Sequence, residues 1–481
     1  MDEETICPSD TDLDFSFTSC TSNTSTDRRT FTSSSARSSL TLSFNESRLS
    51  TTTTNSGARH HQIRSNPHWS AINAATNLSS DGSLRLHHLK LIRHIGTGNL
   101  GRVFLCRIKD YDGDNFALKV VDKEALTAKK LSHVQMESQI LSTVDHPFLP
   151  TLYAHLEVSH YSCLLIDYCP GGDLHALLRK QPENRFRVNT VRFFAAEVLV
   201  ALEYLHAQGV VYRDLKPENV LIRDDGHIML SDFDLCFKAD VVPTIETTTT
   251  TTSSVIRSTM SKKKSRYRYY YGCLGRRRRW RMERKVEVKR EFVAEPTAAF
   301  SKSCVGTHEY LAPELVSGNG HGNGVDWWAF GVFMYELLYG RTPFMGPTKE
   351  ATLRNIASSR QFRLPGSAGE EGEEEARDLI HRLLVKDPRG RLGCAKGATD
   401  IKRHPFFDGI KWPLIRTYRP PEEVRGLLGL RRKSTLMSSR VSATCSSSSS
   451  RRRHWPWTWK GLGDLLKSRR VSKVTLDMNY H

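Results

Sequence analysis

Nowhere does this chain carry an apolar run approaching the roughly eighteen residues that a membrane span needs. Its ten cysteines are scattered, with no Cys-x-x-Cys pair and no His/Cys cluster at zinc spacing. That excludes a disulfide framework and a structural zinc, and it points to a reducing compartment. Acidic residues are in deficit: 52 Asp and Glu face 70 Lys and Arg, a formal net charge of +18. Such a balance favours anionic partners (lipid headgroups, nucleic acid, acidic proteins) and says nothing of fold. The start Met1-Asp-Glu-Glu has the wrong sign for a signal or transit peptide. These features predict an intracellular protein whose route to a membrane is peripheral.

At 481 residues and 38 % hydrophobic content, the chain exceeds one ordinary domain but builds a core over only part of its length. Residues 1–86 are rich in Ser and Thr (Thr21–Thr26, Thr30–Ser35, Ser50–Thr54) and are expected to be disordered. Hydroxyls beside basic residues, as in Ala36-Arg-Ser-Ser-Leu40, are candidate phosphorylation sites.

The densest chemistry lies in Val211-Tyr-Arg-Asp-Leu-Lys-Pro-Glu-Asn219 and, thirteen residues on, Asp232-Phe-Asp234. One short loop holds a carboxylate (Asp214), an ammonium (Lys216) and an amide (Asn219). A second carboxylate, Asp232, follows a predicted hairpin over Val220–Ile222 and His227–Leu230, turned at Asp225-Gly226. Phosphoryl transfer needs this set: a base near the accepting hydroxyl, a cation on the moving group, and oxygen ligands (Asn219, Asp232) for Mg²⁺.

Upstream, Gly96-Thr97-Gly98-Asn99-Leu100-Gly101 lies between predicted strands Leu89–Ile95 and Val103–Ile108. In dinucleotide folds the third glycine of this spacing opens a helix; here a strand follows, as in a turn that covers ATP phosphates with backbone N–H groups. The strand Phe116–Val120 supplies Lys119, whose charge among apolar neighbours needs the ATP phosphates and Glu137, on a helix around Leu131–Leu141. Asp167–Cys169 reads as a hinge between two lobes, and Val103, Ala117, Leu174 and Leu221 as the apolar residues around the adenine. Arg192–His206 is an amphipathic core helix.

Residues 239–298 break the pattern with a threonine run, Thr247–Thr252, then Lys262-Lys263-Lys264 and Arg276-Arg277-Arg278-Arg279 interleaved with Tyr and Trp. Three readings stand: a patch for anionic phospholipids, a nuclear-import signal, or a solvated loop. Each basic residue near an anionic membrane contributes about 1 kcal/mol, ample in total for a peripheral anchor.

Downstream, Ser303, two residues after Ser301, precedes Gly306-Thr307 at the spacing of an activating phosphorylation site, and a phosphate there would reach Arg213. Glu314 expects a buried partner in Arg391, Asp326 a place bracing the catalytic loop, and His404-Pro-Phe-Phe407 the end of the folded region. The tail 419–481 is basic and Ser-rich, and His454-Trp-Pro-Trp-Thr-Trp-Lys460 suits either a bilayer interface or packing on the domain.

Residues 89–407 resemble a protein kinase of the AGC group: Tyr212 in place of the usual His, the Trp327-Trp328 pair and the His-Pro-Phe-Phe ending carry the likeness. Asp232-Phe-Asp234 and the long insertion resemble the plant group VIII, and Asp14-Phe-Ser-Phe-Thr, Asn66-Pro-His-Trp-Ser-Ala-Ile72 and Ile415-Arg-Thr-Tyr-Arg-Pro-Pro421 the WAG/PINOID type, its WAG branch most of all. The resemblance implies an α+β, two-lobed kinase fold, with an N-lobe over 87–168 and a C-lobe over 169–418. It implies a Ser/Thr kinase that uses ATP and Mg²⁺. PIN auxin efflux carriers are the implied substrates, and a 3-phosphoinositide-dependent kinase the upstream activator. Asp173, Glu218 and Glu336 stand where such kinases collect acids for substrate arginines, and Thr307 beside the acceptor site. The implied location is the cytoplasm and the cytoplasmic face of the plasma membrane, with the nucleus as alternative. Two departures stand out: no terminal Phe-x-x-Phe ends the chain, and Asp234 replaces a flexible glycine, which favours one conformation. A pseudokinase scaffold would lack Lys119, Asp214 or Asp232, and all three are present. A nucleic-acid-binding role rests on the basic insertion alone and is not favoured.

Overall fold

The computed structural model describes residues 67–77, 82–254 and 283–429, apart from 112–114, 242, 297, 359–361, 363, 367–368 and 427. The N-terminal Ser/Thr runs, both clusters of the basic patch (Lys262–Lys264, Arg276–Arg279) and the Trp-rich tail lie outside the described residues.

The chain folds into two lobes. In the small lobe, β1 (Leu89–Thr97), β2 (Arg102–Ile108), β3 (Phe116–Asp122), β4 (Leu152–Val158) and β5 (Tyr161–Asp167) form an antiparallel sheet of order β1-β2-β3-β5-β4. β3 is central and covered on both faces, so its side chains sort by the two-residue period of a strand. Phe116 and Leu118 pack toward helix α1 (Pro67–Asn77). Lys119 meets Glu137 and Val121 meets Val134 on the other side, both partners on helix α2 (Ala128–Thr143), whose first turn Thr127 caps from the Lys130 N–H.

Helix α1 corrects the expectation of disorder over residues 1–86. Ala71, Ile72 and Ala75 are buried against the sheet, one apolar stripe at helical spacing, and Pro67 at the first position suits a helix start. The stretch around it has the Ser/Thr bias; these residues do not.

The large lobe opens with β6 (Gly172–Asp173), α3 (Leu174–Leu178) and α4 (Val188–Ala207). β7 (Val210–Val211) leads into the catalytic loop, and β8 (Val220–Ile222) and β9 (Ile228–Leu230) form the expected hairpin beyond it. β10 (Phe237–Lys238) returns to pair with β7, so the loop and the segment after Asp232 are held side by side. Beyond α5 (Pro313–Val316), helix α6 (Gly324–Tyr339) is buried from Gly324 to Leu338. A helix apolar all round belongs at a domain centre, and α6 is packed by α4 and by α7 (Glu373–Leu383).

Two boundaries differ from expectation. The insertion carries strands β11 (Thr244–Ser254) and β12 (Glu283–Val293), paired antiparallel in unbroken register from Thr244↔Val293 to Ser254↔Glu283. The threonine run is β-branched and β12 alternates, a strand signal that composition masked. Folded structure also continues past Phe407 and Tyr418: Ile415 and Val424 are buried, and Pro420 lies over Gly226, where a Cβ would come within 2.9 Å of it at φ +93°.

Candidate active site

The catalytic loop is held from below by one carboxylate. Asp326, wholly buried at the start of α6, accepts the Tyr212 N–H at 2.8 Å and the Arg213 N–H at 2.7 Å. Arg213 (φ 67°) and Asp232 (φ 60°) both adopt left-handed backbone, which L-residues rarely hold unless the surroundings enforce it. The Tyr212 ring packs edge-on against Phe233 and its hydroxyl donates to the Ser231 carbonyl. Loop and Asp232 segment thus form one rigid unit.

On that unit, Lys216 Nζ donates to Asp214 at 2.7 Å and to Thr307 at 2.8 Å, and the Thr307 hydroxyl donates to the other Asp214 oxygen at 3.1 Å. Asn219 turns its amide NH₂ to Asp214, bonding both its carboxylate (2.7 Å) and its carbonyl (2.8 Å). The Asn219 side-chain oxygen is thereby left for a ligand, and the Asp232 carboxylate, bonded by Lys119, offers a second set of oxygen donors. An amide oxygen and a carboxylate are hard donors that fit Mg²⁺.

Lys119 bonds both oxygens of Glu137 at 2.7 Å and Asp232 at 2.9 Å. Burial disfavours its charge, but the two carboxylates outweigh burial and raise its pKa. Above it lies the glycine loop. Gly98 N–H bonds the Gly101 carbonyl at 2.9 Å, a Cβ on Gly101 would sit 2.3 Å from the Val120 carbonyl, and one on Gly96 would meet nothing within 4 Å. The loop is a tight turn with an open face over the cleft. Thr97 and Asn99 belong to that turn, whereas the Leu100 side chain is buried with Val121 and Val134, away from any phosphate.

Val103, Ala117 and Leu221 lie on β2, β3 and β8. Three details correct the sequence reading. Leu174 is fully buried in the large-lobe core and does not line an adenine site. The Asp167 carboxylate turns away from the cleft, accepting the Thr151 N–H at 2.8 Å and the Tyr153 hydroxyl at 2.7 Å. The Cys169 thiol packs on the Met229 sulfur at 3.6 Å. Only the main chain of Asp167 and Cys169 is therefore free to meet a nucleotide.

Asp234 is 2 % exposed, and its Oδ1 has no hydrogen-bond partner. Burial first, then the neighbouring Asp232, push its pKa up to about 7. A glycine here would carry no charge to desolvate.

In the activation segment Arg213 donates to Ser303 at 2.6 Å and Ser301 at 3.4 Å, while its Nε holds the Leu235 carbonyl at 2.6 Å. The two serines bond each other at 2.9 Å. Burial lowers the pKa of Arg213, and among the described residues no carboxylate pairs with it directly. A cation so placed is short of an anion. Glu314 receives a bidentate pair from Arg391 at 2.6 and 2.9 Å, as expected.

The three candidate acids for substrate arginines do not share one environment. Asp173 caps α3 by accepting the Ala176 N–H at 2.7 Å. Glu336 is 6 % exposed, accepts the Tyr310 hydroxyl at 2.5 Å and lies 3.8 Å from Arg179. Burial first, then Glu218 nearby, raise its pKa, whereas Asp173 is engaged by the cap.

Sequence reasoning missed His206, read as core helix, and Glu295, read as insertion. His206 Nδ1 lies 2.7 Å from Glu295 and Nε2 2.8 Å from Asp326. A histidine one turn before the catalytic loop was visible; its partner, separated by 89 positions, was not.

The protein kinase domain model matches residues 89–256 and 288–407, leaving out the middle of the insertion. The chain is 61 % identical to serine/threonine-protein kinase WAG1 of Arabidopsis thaliana over 476 residues, covering 96 % of this chain and 94 % of that one. It is 60 % identical to serine/threonine-protein kinase WAG2 of the same plant, over all of this chain and 97 % of the other. Protein kinase PINOID 2 of rice is 45 % identical over 74 % of this chain and 80 % of its own. The chain belongs to the protein kinase family, as a serine/threonine kinase of the WAG/PINOID type.

Proposed function

We propose that this kinase transfers the γ-phosphoryl group of Mg²⁺-ATP to serine or threonine in the cytosolic loops of PIN-type auxin efflux carriers. The observation that carries the transfer itself is the Asp214–Lys216–Thr307 triangle, closed at 2.7, 2.8 and 3.1 Å. Asp214 orients the acceptor hydroxyl and takes its proton. Lys216 stabilises charge on the moving phosphoryl group, and Thr307 fixes both from the acceptor side. Lys119, held by Glu137, meets the non-transferred phosphates, and the backbone of Gly96–Gly101 covers them. Val103, Ala117 and Leu221 sandwich the adenine, with main-chain groups of Asp167 and Cys169 at its edge. Asn219 and Asp232 hold Mg²⁺, which when bound offsets the negative charge gathered on the phosphates.

Phosphorylation at Ser303, assisted by Ser301, is the activating event: it places about two charges against Arg213 and orders the segment. An upstream 3-phosphoinositide-dependent kinase fits this role. Glu218 and Glu336 select arginine before the acceptor, with Asp173 contributing at the rim. The +18 net charge and the basic stretches Lys262–Lys264 and Arg276–Arg279 support peripheral contact with anionic phospholipids at the cytoplasmic face of the plasma membrane. Nuclear import is the alternative use of those stretches.

The test is Mg²⁺-ATP transfer to a carrier-loop substrate by wild type, Asp214→Asn and Ser303→Ala. Transfer that Asp214→Asn abolishes and Ser303→Ala reduces is expected. Transfer to a generic basic peptide but none to the carrier loop would refute the substrate and leave the enzyme standing.

A further inference from the structure

The insertion does not merely interrupt the activation segment. Its outgoing strand β12 ends at Val293, and two residues later Glu295 enters the large lobe and is 6 % exposed. We propose that Glu295 is a positioning residue of the kinase: through His206 it fixes the Asp326 carboxylate that holds the catalytic-loop backbone, and so the placement of Asp214.

Every link is short. Glu295 Oε2 lies 2.7 Å from His206 Nδ1, and His206 Nε2 lies 2.8 Å from Asp326 Oδ2. That same Oδ2 accepts the Tyr212 N–H at 2.8 Å, and Oδ1 accepts the Arg213 N–H at 2.7 Å, one residue before Asp214. Glu295 is itself fixed. Asn323 donates to its Oε2 at 2.9 Å and the Ala398 N–H reaches Oε1 at 3.4 Å. A Cβ on Gly397 would fall 1.7 Å from Oε1, so only glycine admits the carboxylate there.

The charge arithmetic explains why two carboxylates are needed. The Asp326 carboxylate accepts two backbone amides, and His206 can donate to it and to Glu295 at once only if both ring nitrogens carry protons. Burial opposes that state, but Glu295 and Asp326 outweigh burial and hold the imidazole pKa up to about 10. Without Glu295 the imidazole is free to lose a proton or turn, and Asp326 loses its fixed donor. A displacement of even 1 Å at a reacting group costs up to about a hundredfold in rate.

The experiment compares wild type, Glu295→Gln, His206→Gln and the double variant in steady-state phosphorylation of a peptide, with Ser303 phosphorylation matched. Glu295→Gln keeps the side-chain length, which guards against simple misfolding, and circular dichroism checks that each variant is folded. The expected result is a kcat about tenfold lower in Glu295→Gln with KM for ATP and peptide within about twofold. The double variant is expected to lose no more than His206→Gln alone. In ¹⁵N-histidine spectra at pH 8.5, His206 should carry protons on both ring nitrogens in wild type and on one in Glu295→Gln. An unchanged kcat in folded Glu295→Gln, losses that multiply in the double variant, or a doubly protonated His206 in Glu295→Gln would each overturn the proposal.

Discussion

Arg391 offers the sharpest test of how the large lobe is held together. Its guanidinium is wholly buried and uses all five N–H donors. Nε bonds the Val385 carbonyl at 2.9 Å, Nη1 bonds Glu314 at 2.6 Å and the Gly324 carbonyl at 2.8 Å, and Nη2 bonds Glu314 at 2.9 Å and the Lys386 carbonyl at 3.2 Å. The cation also lies 5.1 Å from the Trp328 ring centroid. One side chain thus ties α5 to the start of α6 and to the turn after α7. Breaking a buried ion pair by removing one partner costs about 3–5 kcal/mol, because the other charge stays buried. Arg391→Ala also orphans three carbonyls, each costing roughly 1 kcal/mol even where water enters. About 6–8 kcal/mol is expected, or roughly 12–32 °C in melting temperature at about 2–4 °C per kcal/mol.

Arg391→Lys decides the reasoning. Lysine restores the charge but offers three donors from one point, so it cannot span a bidentate carboxylate and three separate carbonyls. If the fork geometry matters, Arg391→Lys loses at least about 2 kcal/mol in urea unfolding followed by tryptophan fluorescence. If charge alone matters, it stays within about 0.5 kcal/mol of wild type, and that result would refute the argument.

Two further outcomes follow from the same geometry. Ser303→Ala and Arg213→Ala should each reduce transfer about tenfold or more, since a phosphate–guanidinium bond is worth roughly 1.5–3 kcal/mol; losses that multiply in the double variant would show that the two act separately. Ile72→Asp puts a carboxylate among the small-lobe side chains where Ile72 is 4 % exposed, and should lower the small lobe's stability by about 3 kcal/mol; a thermal melt unchanged from wild type would show α1 to be dispensable.

How much of this was legible follows from where the determinants lie in the chain. Asp214, Lys216 and Asn219 occupy six consecutive positions, so their chemistry can be read as a local pattern. Lys119, Glu137 and Asp232 are distant in sequence, but each sits in an element whose periodicity or glycine punctuation announces it. Glu314 and Arg391 are legible because Ala312-Pro-Glu314 and Asp387-Pro-Arg-Gly-Arg391 stand out as short patterns, and two short bonds close the pair. What stayed hidden depends on direction rather than type. Asp167 is a hinge residue by position, yet its carboxylate points to Tyr153, and Leu174, expected beside the adenine, faces the large-lobe core. α1 was lost in the surrounding Ser/Thr bias, and β11 in a threonine run whose β-branching outweighs its low complexity. His206 and Glu295 could not be paired at all, because the length of an insertion carries no information on where its far end returns.

That hidden pair also sets a pH dependence whose sign is fixed. His206 titrates near 6.5 unfolded, while in the folded lobe burial is outweighed by Glu295 and Asp326 and the value is held up to about 10. Below about 6.5 both states carry the proton, so the stabilisation is fully present. As pH rises from there the unfolded chain releases its proton while the folded lobe keeps it, and stability falls until the folded imidazole also titrates near 10. At 1.36 kcal/mol per pH unit, the ceiling is about 5 kcal/mol, of which about 2–3 kcal/mol is lost between pH 7 and pH 9. Buried cysteines and tyrosines with raised pKa values add to the same slope, among them Cys236 and Tyr212, so the diagnostic quantity is a difference. In urea titrations at pH 7 and pH 9, wild type should lose about 2–3 kcal/mol more than His206→Gln across that interval. Parallel losses would mean that the imidazole is neutral in the folded lobe. Glu295 would then be a mere hydrogen-bond acceptor at the root of the insertion, with no electrostatic hold on the catalytic loop.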